Sequence, residues 1–409
     1  MDKRINSAFQ FASKFCFPRL SGTEGDQQAQ ETAKTIFKDL GLEPFEDEFP
    51  ASYLVMNFFS RIALAPFGSL LIAGAIFYRS RMPYAALIFF LLALVVGLGF
   101  ALYCQASPGV LGWGKKFTTK NIFAKFGPEN PEKEMVVVAH YDSKSQTFPI
   151  WLRILTYYVA GILSIIAILI GFTIVFEFVN IPIQQYAYAG EIPGGGGISE
   201  FYDLFANKSV HMVWFWIIFC IGLLDFLPIF NRLGNKSPGA IDNASAIGVA
   251  LELASIFKQD PLSQSRVWVV LTGAEELGLV GARAFVEKHG KELDPEKTFV
   301  INLDILGADH RISALERLGV PGKMTDRELN WLVKAAAVLR SMKFKLIKAS
   351  IGFSTDAQAF LKKGYRTVSI GSFSRFVHTS QDTPDKLITQ NLGDYVAVIR
   401  EVVFALDQK

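Results

Sequence analysis

Cysteine and histidine are scarce in this chain of 409 residues, and strongly basic segments are missing. The three cysteines, Cys16, Cys104 and Cys220, form neither a CxxC metal pair nor a disulfide framework. The formal net charge is only +3 and no run of lysine and arginine occurs, so nucleic acid is not expected as a partner. The N-terminal stretch MDKRINSAFQFASKF has no apolar core with a small-residue cleavage site, so no signal peptide is expected.

Hydrophobic residues make up 51% of the chain and concentrate in four long stretches. Because about 20 apolar residues cross the hydrocarbon of a bilayer, these stretches predict four transmembrane spans in two hairpins. Residues 61–104 form the first hairpin and residues 154–230 the second. The predicted spans are residues 62–78, 83–104, 154–176 and 210–230.

The fourth stretch has an alternative interpretation. His211, Asp225 and Pro228 interrupt it, so a buried or interfacial helix remains possible there. Residues 177–209, which contain GGGG, are predicted to be a flexible exposed loop between the last two spans.

The remaining segments, residues 1–60, 105–153 and 231–409, predict one discontinuous catalytic domain. In it, strand-like stretches such as MVVVAHYD, VWVVLTGAEE and TFVINLDILG alternate with amphipathic helix patterns such as LVGARAFVEKHG. This alternation predicts an α/β fold with a mixed, largely parallel sheet and helices on both faces. Ligand sites in such sheets lie beyond the carboxyl ends of the strands.

Two of the five histidines stand at predicted strand ends near a carboxylate. His140 closes MVVVA and precedes Asp142, and His378 follows YRTVSIGSF and precedes Asp382. A lone histidine there is often structural, but a neighbouring carboxylate could orient a metal-binding imidazole. For the other three histidines a structural role is favoured.

Four carboxylates also follow strand-like or turn-like stretches. Glu275 and Glu276 end VWVVLTGA, Asp304 ends VINL, and Asp242 precedes a helix, where helix capping is the alternative explanation. Like charges gathered at the ends of buried strands require protonation or a compensating cation. Carboxylates and neutral imidazoles without a thiolate suit a hydrolytic Zn²⁺ site, and two ions need a bridging carboxylate. We infer that Glu276 binds metal and that Glu275 is the general base.

Five motifs in order resemble the co-catalytic zinc aminopeptidases of metallopeptidase family twenty-eight: AHYDS, GAIDNASA, GAEELGLVGA, INLDILG and VHTSQDTPD. The N-terminal PRLSGTEGDQQAQETAKTIFKDLGLEP resembles the opening helix of that family. The resemblance implies two zinc ions per chain, one held by His140, Asp242 and Asp304, the other by Asp242, Glu276 and His378. It further implies that Asp142 supports His140 and that the Asp242–Asn243 peptide bond is cis.

The chain also departs from the family pattern. Residues 143–241, with two apolar stretches, separate motifs that a short loop usually joins, and Val377 replaces the aromatic oxyanion donor of some relatives, so that donor is unassigned. HYDSK also resembles the glutaminyl cyclases, a single-zinc branch of the superfamily. The alternatives are therefore a cyclase-like acyltransferase and an inactive membrane scaffold, although the complete set of ligand residue types speaks against the scaffold.

The sequence thus predicts a membrane-anchored zinc aminopeptidase whose partners are a peptide with a free N-terminus and the lipid bilayer. Lys and Arg near the spans are more numerous on the side shared with the peptidase segments, which places the catalytic domain in the cytoplasm. The second hairpin interrupts the chain between Asp142 and Asp242, so we expect it to emerge at the rim of the catalytic cleft. The preferred N-terminal residue and the oligomeric state are not predicted.

Overall fold

The structure is a computed structural model that describes residues 3–54, 60–62, 64–80, 82–105, 115–179, 208–319, 322–348 and 354–409. The predicted loop at residues 177–209 lies almost entirely outside these described residues. The chain divides into two compact units. The first contains residues 1–56, 108–150 and 233–409, and the second contains residues 57–107 and 151–232.

The first unit is built on an eight-stranded sheet with the order β1-β2-β6-β3-β7-β12-β8-β11. The described residues of this unit form twelve strands, of which β4 with β5 and β9 with β10 pair outside the sheet. The strands are β1 Phe45–Ser52, β2 Lys116–Phe126, β3 Lys133–His140, β4 Ser145–Gln146, β5 Leu233–Gly234, β6 Ser265–Thr272, β7 Thr298–Asp304, β8 Arg311–Leu315, β9 Arg317–Leu318, β10 Lys323–Met324, β11 Lys343–Ile347 and β12 Arg366–Gly371. The central strands β6, β3, β7 and β12 are mutually parallel, whereas β2 and β8 run antiparallel to their neighbours in this group. The predicted mixed, largely parallel sheet is confirmed.

Helices cover both faces of this sheet, as the α/β pattern predicts. In chain order the described helices of six residues or more are α1 Lys3–Ser13, α2 Glu24–Asp39, α3 Leu64–Arg79, α4 Pro83–Gln105, α5 Ala160–Val179, α6 Lys208–Leu224, α7 Ser245–Gln259, α8 Val280–His289, α9 Arg327–Leu339, α10 Ala357–Lys362 and α11 Thr389–Asp407. Helices α1, α2, α7, α9 and α11 share one apolar core with the sheet. Helices α8 and α10 form the core on the opposite face.

The alternating direction of side chains along the strands explains why the sheet has a core on each face. In β3, Val137 packs with the first core, whereas Val136 and Val138 pack with the second. Successive side chains of a strand point to opposite faces, so a strand buried on both faces is apolar along its whole length. The uninterrupted run MVVVA is therefore the mark of a central parallel strand.

The second unit contains the apolar helices α3, α4, α5 and α6. Glycines allow them to pack closely: a Cβ atom on Gly68 would lie 2.4 Å from the carbonyl oxygen of Gly222, and one on Gly171 would lie 2.7 Å from the Phe90 ring. Small residues at helix contacts are typical of membrane bundles. On the outer side of this bundle, large apolar residues such as Val95 and Leu169 are about 60% exposed.

Three segments of the described chain are long and apolar enough to cross a membrane: Ile150–Phe172, Met212–Phe230 and Ala240–Gln259. The first two overlap the predicted second hairpin, and two shorter apolar helices, Leu64–Arg79 and Tyr84–Gly99, lie in the predicted first hairpin. The third was predicted as a helix of the catalytic domain, and 89% of its span window is buried inside the protein.

Candidate metal centre

The carboxyl ends of the four central parallel strands meet at one edge of the sheet. His140 is the last residue of β3 and Asp304 the last residue of β7, and Glu275 follows the end of β6 by three residues. His378 follows β12 by seven residues. Because these strands are parallel and adjacent, their ends place all these side chains in one region.

His140 and Asp142 organise the end of β3. The imidazole Nδ1 of His140 lies 3.1 Å from the backbone oxygen of Asp142 and 3.5 Å from the carboxylate Oδ1 of Asp142. The Asp142 carboxylate accepts the backbone N–H groups of Glu275 at 3.1 Å and Glu276 at 3.2 Å. Asp142 therefore supports both the histidine, as the resemblance implies, and the loop that carries the two glutamates.

A buried turn positions Asp242. The Asp382 carboxylate accepts the backbone N–H groups of Ile241 at 2.7 Å and Asp242 at 3.1 Å. The Asp242–Asn243 peptide bond is cis, which confirms the expectation from the resemblance. Asp382 thus holds the turn that presents Asp242, a role that its position near His378 in the sequence did not reveal.

The structure brings the five predicted ligands together in two groups that share Asp242. In the first group, the Nε2 atom of His140 lies 3.2 Å from Asp242 Oδ1 and 3.5 Å from Asp304 Oδ1. In the second, the Nε2 atom of His378 lies 3.1 Å from Asp242 Oδ2 and 3.0 Å from Glu276 Oε1. One oxygen of Asp242 therefore faces each group.

The donor atoms of these groups fit a metal ion. Glu276 Oε1 and Asp304 Oδ1 are buried and have no hydrogen-bond partner among the described residues, although each lies near an imidazole. A buried carboxylate oxygen without a donor is costly, and a cation would satisfy it. Imidazole and carboxylate ligands match the preferences of Zn²⁺. Each group contains one such oxygen, so both fit a zinc ion.

The buried charged groups of this centre shift one another's pKa values. Burial raises the pKa of Asp242, but His140 and His378 lower it well below its usual value. Burial also raises the pKa of Glu276, and His378 and Lys144 outweigh it and bring the pKa to about 2. The Asp304 pKa is raised, chiefly by burial. The carboxylates thus need nearby positive charge.

Glu275 belongs to neither ligand group. Its Oε2 atom lies 3.9 Å from His140 Nε2, and its side chain is only 7% exposed. Burial raises its pKa well above the usual value, and the carboxylates of Glu276, Asp304 and Asp356 add to the effect. A buried carboxylate beside a metal site, with a raised pKa, suits a group that accepts and then releases a proton.

Unusual backbone conformations accompany this site. Three of the five described non-glycine residues with positive φ adjoin or provide its side chains: Ala274 precedes Glu275, Ile305 follows Asp304, and His378 itself has φ 63°. Such conformations are disfavoured for residues with a Cβ atom and cluster at functional sites. Position 371 requires glycine because the backbone passes close by: a Cβ atom there would lie 2.1 Å from the backbone oxygen of Asp304.

Sequence reasoning did not assign Arg19, which is completely buried. Its guanidinium donates to the backbone oxygens of Tyr141, of Pro238 at 2.6 Å and of Gly239 at 2.9 Å. It therefore ties the end of β3 to the turn that leads to Asp242. The motif PRLSG contains this residue, but an arginine in a polar segment gives no sign that it is buried.

Asp356 was also missed. It is buried, its Oδ2 atom accepts a hydrogen bond from Thr272, and its Oδ1 atom has no partner among the described residues. Burial raises its pKa to about 7. An Asp before an apolar helix suggests an N-cap, and this position is indeed the N-cap of α10, but its side chain makes no capping hydrogen bond.

The remaining histidines lie elsewhere. His289 contacts Asp47 and Glu292, and His310 is in a loop before β8. The side chain of His211 lies outside the described residues.

Residues 224–403 match the family model described as Peptidase family M28. This region contains four of the five predicted zinc ligands and Glu275. His140 and the residues before it lie outside the matched range.

Aminopeptidase YwaD of Bacillus subtilis (strain 168) is 42% identical to this chain over 72 residues, which are 17% of this chain and 15% of that protein. The matched stretches span only 15% to 16% of the length of the curated relatives.

Solved structures show the same fold over almost the whole chain. A glutaminyl cyclase from an Acidobacteriales bacterium has a TM-score of 0.53 at 14% identity, covering 100% of this chain and 96% of that one. A zinc aminopeptidase from Bacillus subtilis, BSAP, has a TM-score of 0.53 at 14% identity, covering 98% of this chain and 94% of that one. At such low identity the likeness concerns the fold.

Proposed function

We propose that the chain is a member of peptidase family M28, to whose model residues 224–403 match, and that it is a membrane-embedded zinc aminopeptidase that removes N-terminal residues from peptides. One observation carries the proposal. Each of two groups consists of one imidazole and two carboxylates, and the buried Asp242 belongs to both groups. A carboxylate shared by two ligand groups is what a two-zinc hydrolase requires.

In this proposal His140, Asp242 and Asp304 hold one zinc ion, and Asp242, Glu276 and His378 hold the other. When bound, the ions supply Lewis acidity for the substrate carbonyl and for water. Glu275 accepts the proton of the attacking water and passes it to the leaving amine. Asp142 holds the His140 ring and the backbone of both glutamates, so it positions the base without taking part in proton transfer.

The similarity to an aminopeptidase also favours a substrate with a free N-terminus. The lone pair of a neutral α-amine could bind to a zinc ion of this centre, whereas an acetylated N-terminus offers no such lone pair. A peptide with a free N-terminus is therefore the proposed substrate.

Glutaminyl cyclisation is the second candidate, because a solved cyclase has the same fold and HYDSK resembles that branch. The two ligand groups speak against it, because a single-zinc enzyme needs only one complete set of donors, and here both His140, Asp242, Asp304 and Asp242, Glu276, His378 are complete. The same complete sets speak against an inactive scaffold.

We further propose that the second unit, called the apolar unit below, spans the bilayer about four times. The first unit, called the peptidase unit below, is proposed to lie on the cytoplasmic side. The exposed apolar side chains of the helices in the apolar unit support the membrane spans, and the distribution of Lys and Arg supports the cytoplasmic side.

The chain leaves the peptidase unit after Ile150 and returns at Leu233. Within that unit, β4 pairs with β5, and the N–H of Gln146 donates to the backbone oxygen of His378 at 2.9 Å. Strands β4 and β5, which flank the insertion in the sequence, thus lie near a proposed ligand. We propose on this basis that the enzyme selects substrates presented at the membrane.

Peptides incubated with the purified full-length chain test the reaction. We expect mass spectrometry to show loss of the first residue from a free peptide and no change in its N-acetylated twin. A Gln-initiated peptide that loses only ammonia would favour the cyclase instead. Unchanged peptides in every case, with zinc bound, would favour the scaffold.

Replacing residues 151–232 by a short polar linker tests the membrane selection. We expect the variant to keep its activity on soluble peptides and to lose preference for a peptide anchored in vesicles. The same ratio of the two activities as in the parent would contradict the selection.

A further inference from the structure

The loop after β6, which carries the proposed general base, is held in place by side chains. The four consecutive backbone N–H groups of residues 273–276 donate to side-chain oxygens of Asn121, Ser21 and Asp142. Asn121 lies in β2 and Asp142 follows β3. Ser21 instead belongs to residues 18–22 (PRLSG), which form neither helix nor strand and are called the PRLSG segment below. The mechanism proposed above does not use this segment.

The completely buried hydroxyl of Ser21 makes two hydrogen bonds beside the base. It donates to Asp142 Oδ2 at 3.1 Å and accepts the backbone N–H of Ala274 at 3.1 Å. Ala274 has φ 52°, which is disfavoured for a residue with a Cβ atom, and it directly precedes Glu275. Ser21 therefore holds both the disfavoured backbone before the base and the carboxylate that accepts the N–H of Glu275.

The PRLSG segment also contacts residues of the peptidase unit that flank, in the sequence, the two segments of the apolar unit. Tyr53 precedes the first of these segments, and its hydroxyl donates to the backbone oxygen of Ser21 at 2.6 Å. The centre of its ring lies 5.0 Å from that of Phe117, which follows the same segment. The N–H of Leu20 donates to the side-chain oxygen of Asn235, which follows the second segment, at 3.0 Å.

Close packing leaves the PRLSG segment little freedom to move by itself. Gly22 has φ 83°, and a Cβ atom there would lie 2.7 Å from the Phe117 ring. The N–H of Gly22 donates at 2.8 Å to the buried carboxylate of Asp26, which also accepts from the Thr119 hydroxyl in β2. Because close-packed interiors transmit strain, a shift of Tyr53 or Phe117 is expected to reach Ser21.

We propose that Ser21 is a positioning residue for the general base, and that the PRLSG segment links the first segment of the apolar unit to that base. Ser21 acts through Asp142 and Ala274, whose contacts fix the backbone of Glu275. The inference rests on the proposed function, in which Glu275 transfers a proton. Proton transfer requires a precise position of the base, so a small shift of Glu275 lowers the rate without weakening the binding of substrate.

Steady-state kinetics of full-length variants in detergent, with a free peptide as substrate, test the role of Ser21. Ser21→Ala should lower kcat by about 10–10²-fold, as a small misplacement of a catalytic group does, and change KM by about twofold or less. Its zinc content should match the parent, because all five proposed ligands remain. Ser21→Thr keeps the hydroxyl and should retain most of the rate. Thr23→Val is the matched control, since the Thr23 hydroxyl donates to the backbone oxygen of Leu20 within the same turn, and it should match the parent.

Tyr53→Phe tests the link to the first segment of the apolar unit. It removes the hydroxyl that donates to Ser21, so kcat should fall by about two- to tenfold, the worth of one hydrogen bond. In the Ser21→Ala background the same change should have little further effect, because two changes that act through one contact are not additive. The same loss in both backgrounds would show that Tyr53 acts without the Ser21 hydroxyl and would overturn the link.

The outcomes separate this inference from the proposed function. A parent chain without peptidase activity overturns both. With an active parent, the role of Ser21 alone is overturned if Ser21→Ala keeps the parental kcat, changes only KM or loses zinc, or if Thr23→Val is impaired equally. Thermal unfolding shows whether each variant is folded. If Ser21→Ala is not folded, Tyr53→Phe decides, since a parental kcat in that variant overturns the inference and a lower kcat with parental KM supports it.

Discussion

Two apolar helical segments of this chain have similar length and opposite surroundings. Ala240–Gln259 and Ile150–Phe172 both have the apolar composition of a membrane span. In the most apolar part of each segment, however, the protein buries 89% of Ala240–Gln259 and only 33% of Ile150–Phe172. The first packs against the sheet through α7, with Leu251 and Ile247 completely buried. Composition therefore shows that a helix avoids water, while its neighbours show whether protein or lipid takes the place of water.

The same contrast applies to polar groups. In the peptidase unit, buried carboxylates gather at the ends of parallel strands, where backbone N–H groups and imidazoles surround them. In the apolar unit, Asp225 is buried and accepts from the Ser164 hydroxyl at 2.9 Å. The first arrangement is suited to bind an ion, and the second joins the turn after α6 to α5.

The largest expected effect is on catalysis. Glu275→Gln should lower peptidase activity by about 10²–10⁴-fold, the usual contribution of a general base, because an amide cannot accept the proton. The zinc content should stay the same, since Glu275 belongs to neither ligand group. Asp225→Asn is the matched change in the apolar unit, and we expect it to leave the activity of the solubilised enzyme unchanged. Equal losses in both variants would contradict the separate roles of the two units.

A second pair of variants compares the two kinds of apolar helix. Leu251→Ala in α7 should lower the free energy of unfolding by about 2–5 kcal/mol, since it leaves a cavity in a packed core. Leu169→Ala in α5 should change it by about 0.5 kcal/mol or less, because Leu169 is 60% exposed. Thermal unfolding of both variants in the same detergent measures the difference. A larger loss in Leu169→Ala would show that this helix is buried by protein rather than by lipid.

The smallest expected effect concerns pH. In the peptidase unit His289 Nε2 lies 2.7 Å from Asp47 Oδ2 and joins α8 to β1. Burial lowers the His289 pKa, but Asp47 and Glu292 raise it above its usual value, while burial raises the Asp47 pKa and His289 and Lys288 lower it below its usual value.

The histidine contribution to stability is therefore complete below its unfolded pKa of about 6.5 and is lost as the pH rises through the raised folded value. The aspartate contribution is present above its unfolded pKa and is lost as the pH falls through the lowered one. We expect His289→Gln to remove about 1 kcal/mol at pH 6 and less at high pH. Melting curves of the parent and of His289→Gln from pH 6 to high pH measure this difference in stability. A difference that does not change with pH would contradict the ion pair.

The central sheet and the site could be predicted because their signals are local. Apolar runs such as MVVVA predicted the buried parallel strands, and the polar residues at their ends predicted where the site lies. The pairing of ligands around Asp242 came from the resemblance, since spacing in the sequence does not show which carboxylate is shared. The structure brings the same residues together in both groups.

Other features depend on partners distant in sequence. Strand β1 contains Glu46, Asp47 and Glu48, residues that disfavour strands, and it forms by pairing with β2. Strand β11 has two exposed lysines and pairs with β8 at the edge of the sheet. Lys144 and Arg19, which are both buried, were missed for the same reason, since a charged residue in a loop shows its burial only when its contacts are known.

Zinc content per chain, measured by elemental analysis of the purified full-length protein, tests the central claim most directly. We predict two ions per chain, and a fall in both occupancy and peptidase activity in His140→Ala and His378→Ala, because each variant removes a ligand of one group. A folded chain that contains no zinc and hydrolyses peptides at an undiminished rate would contradict the account.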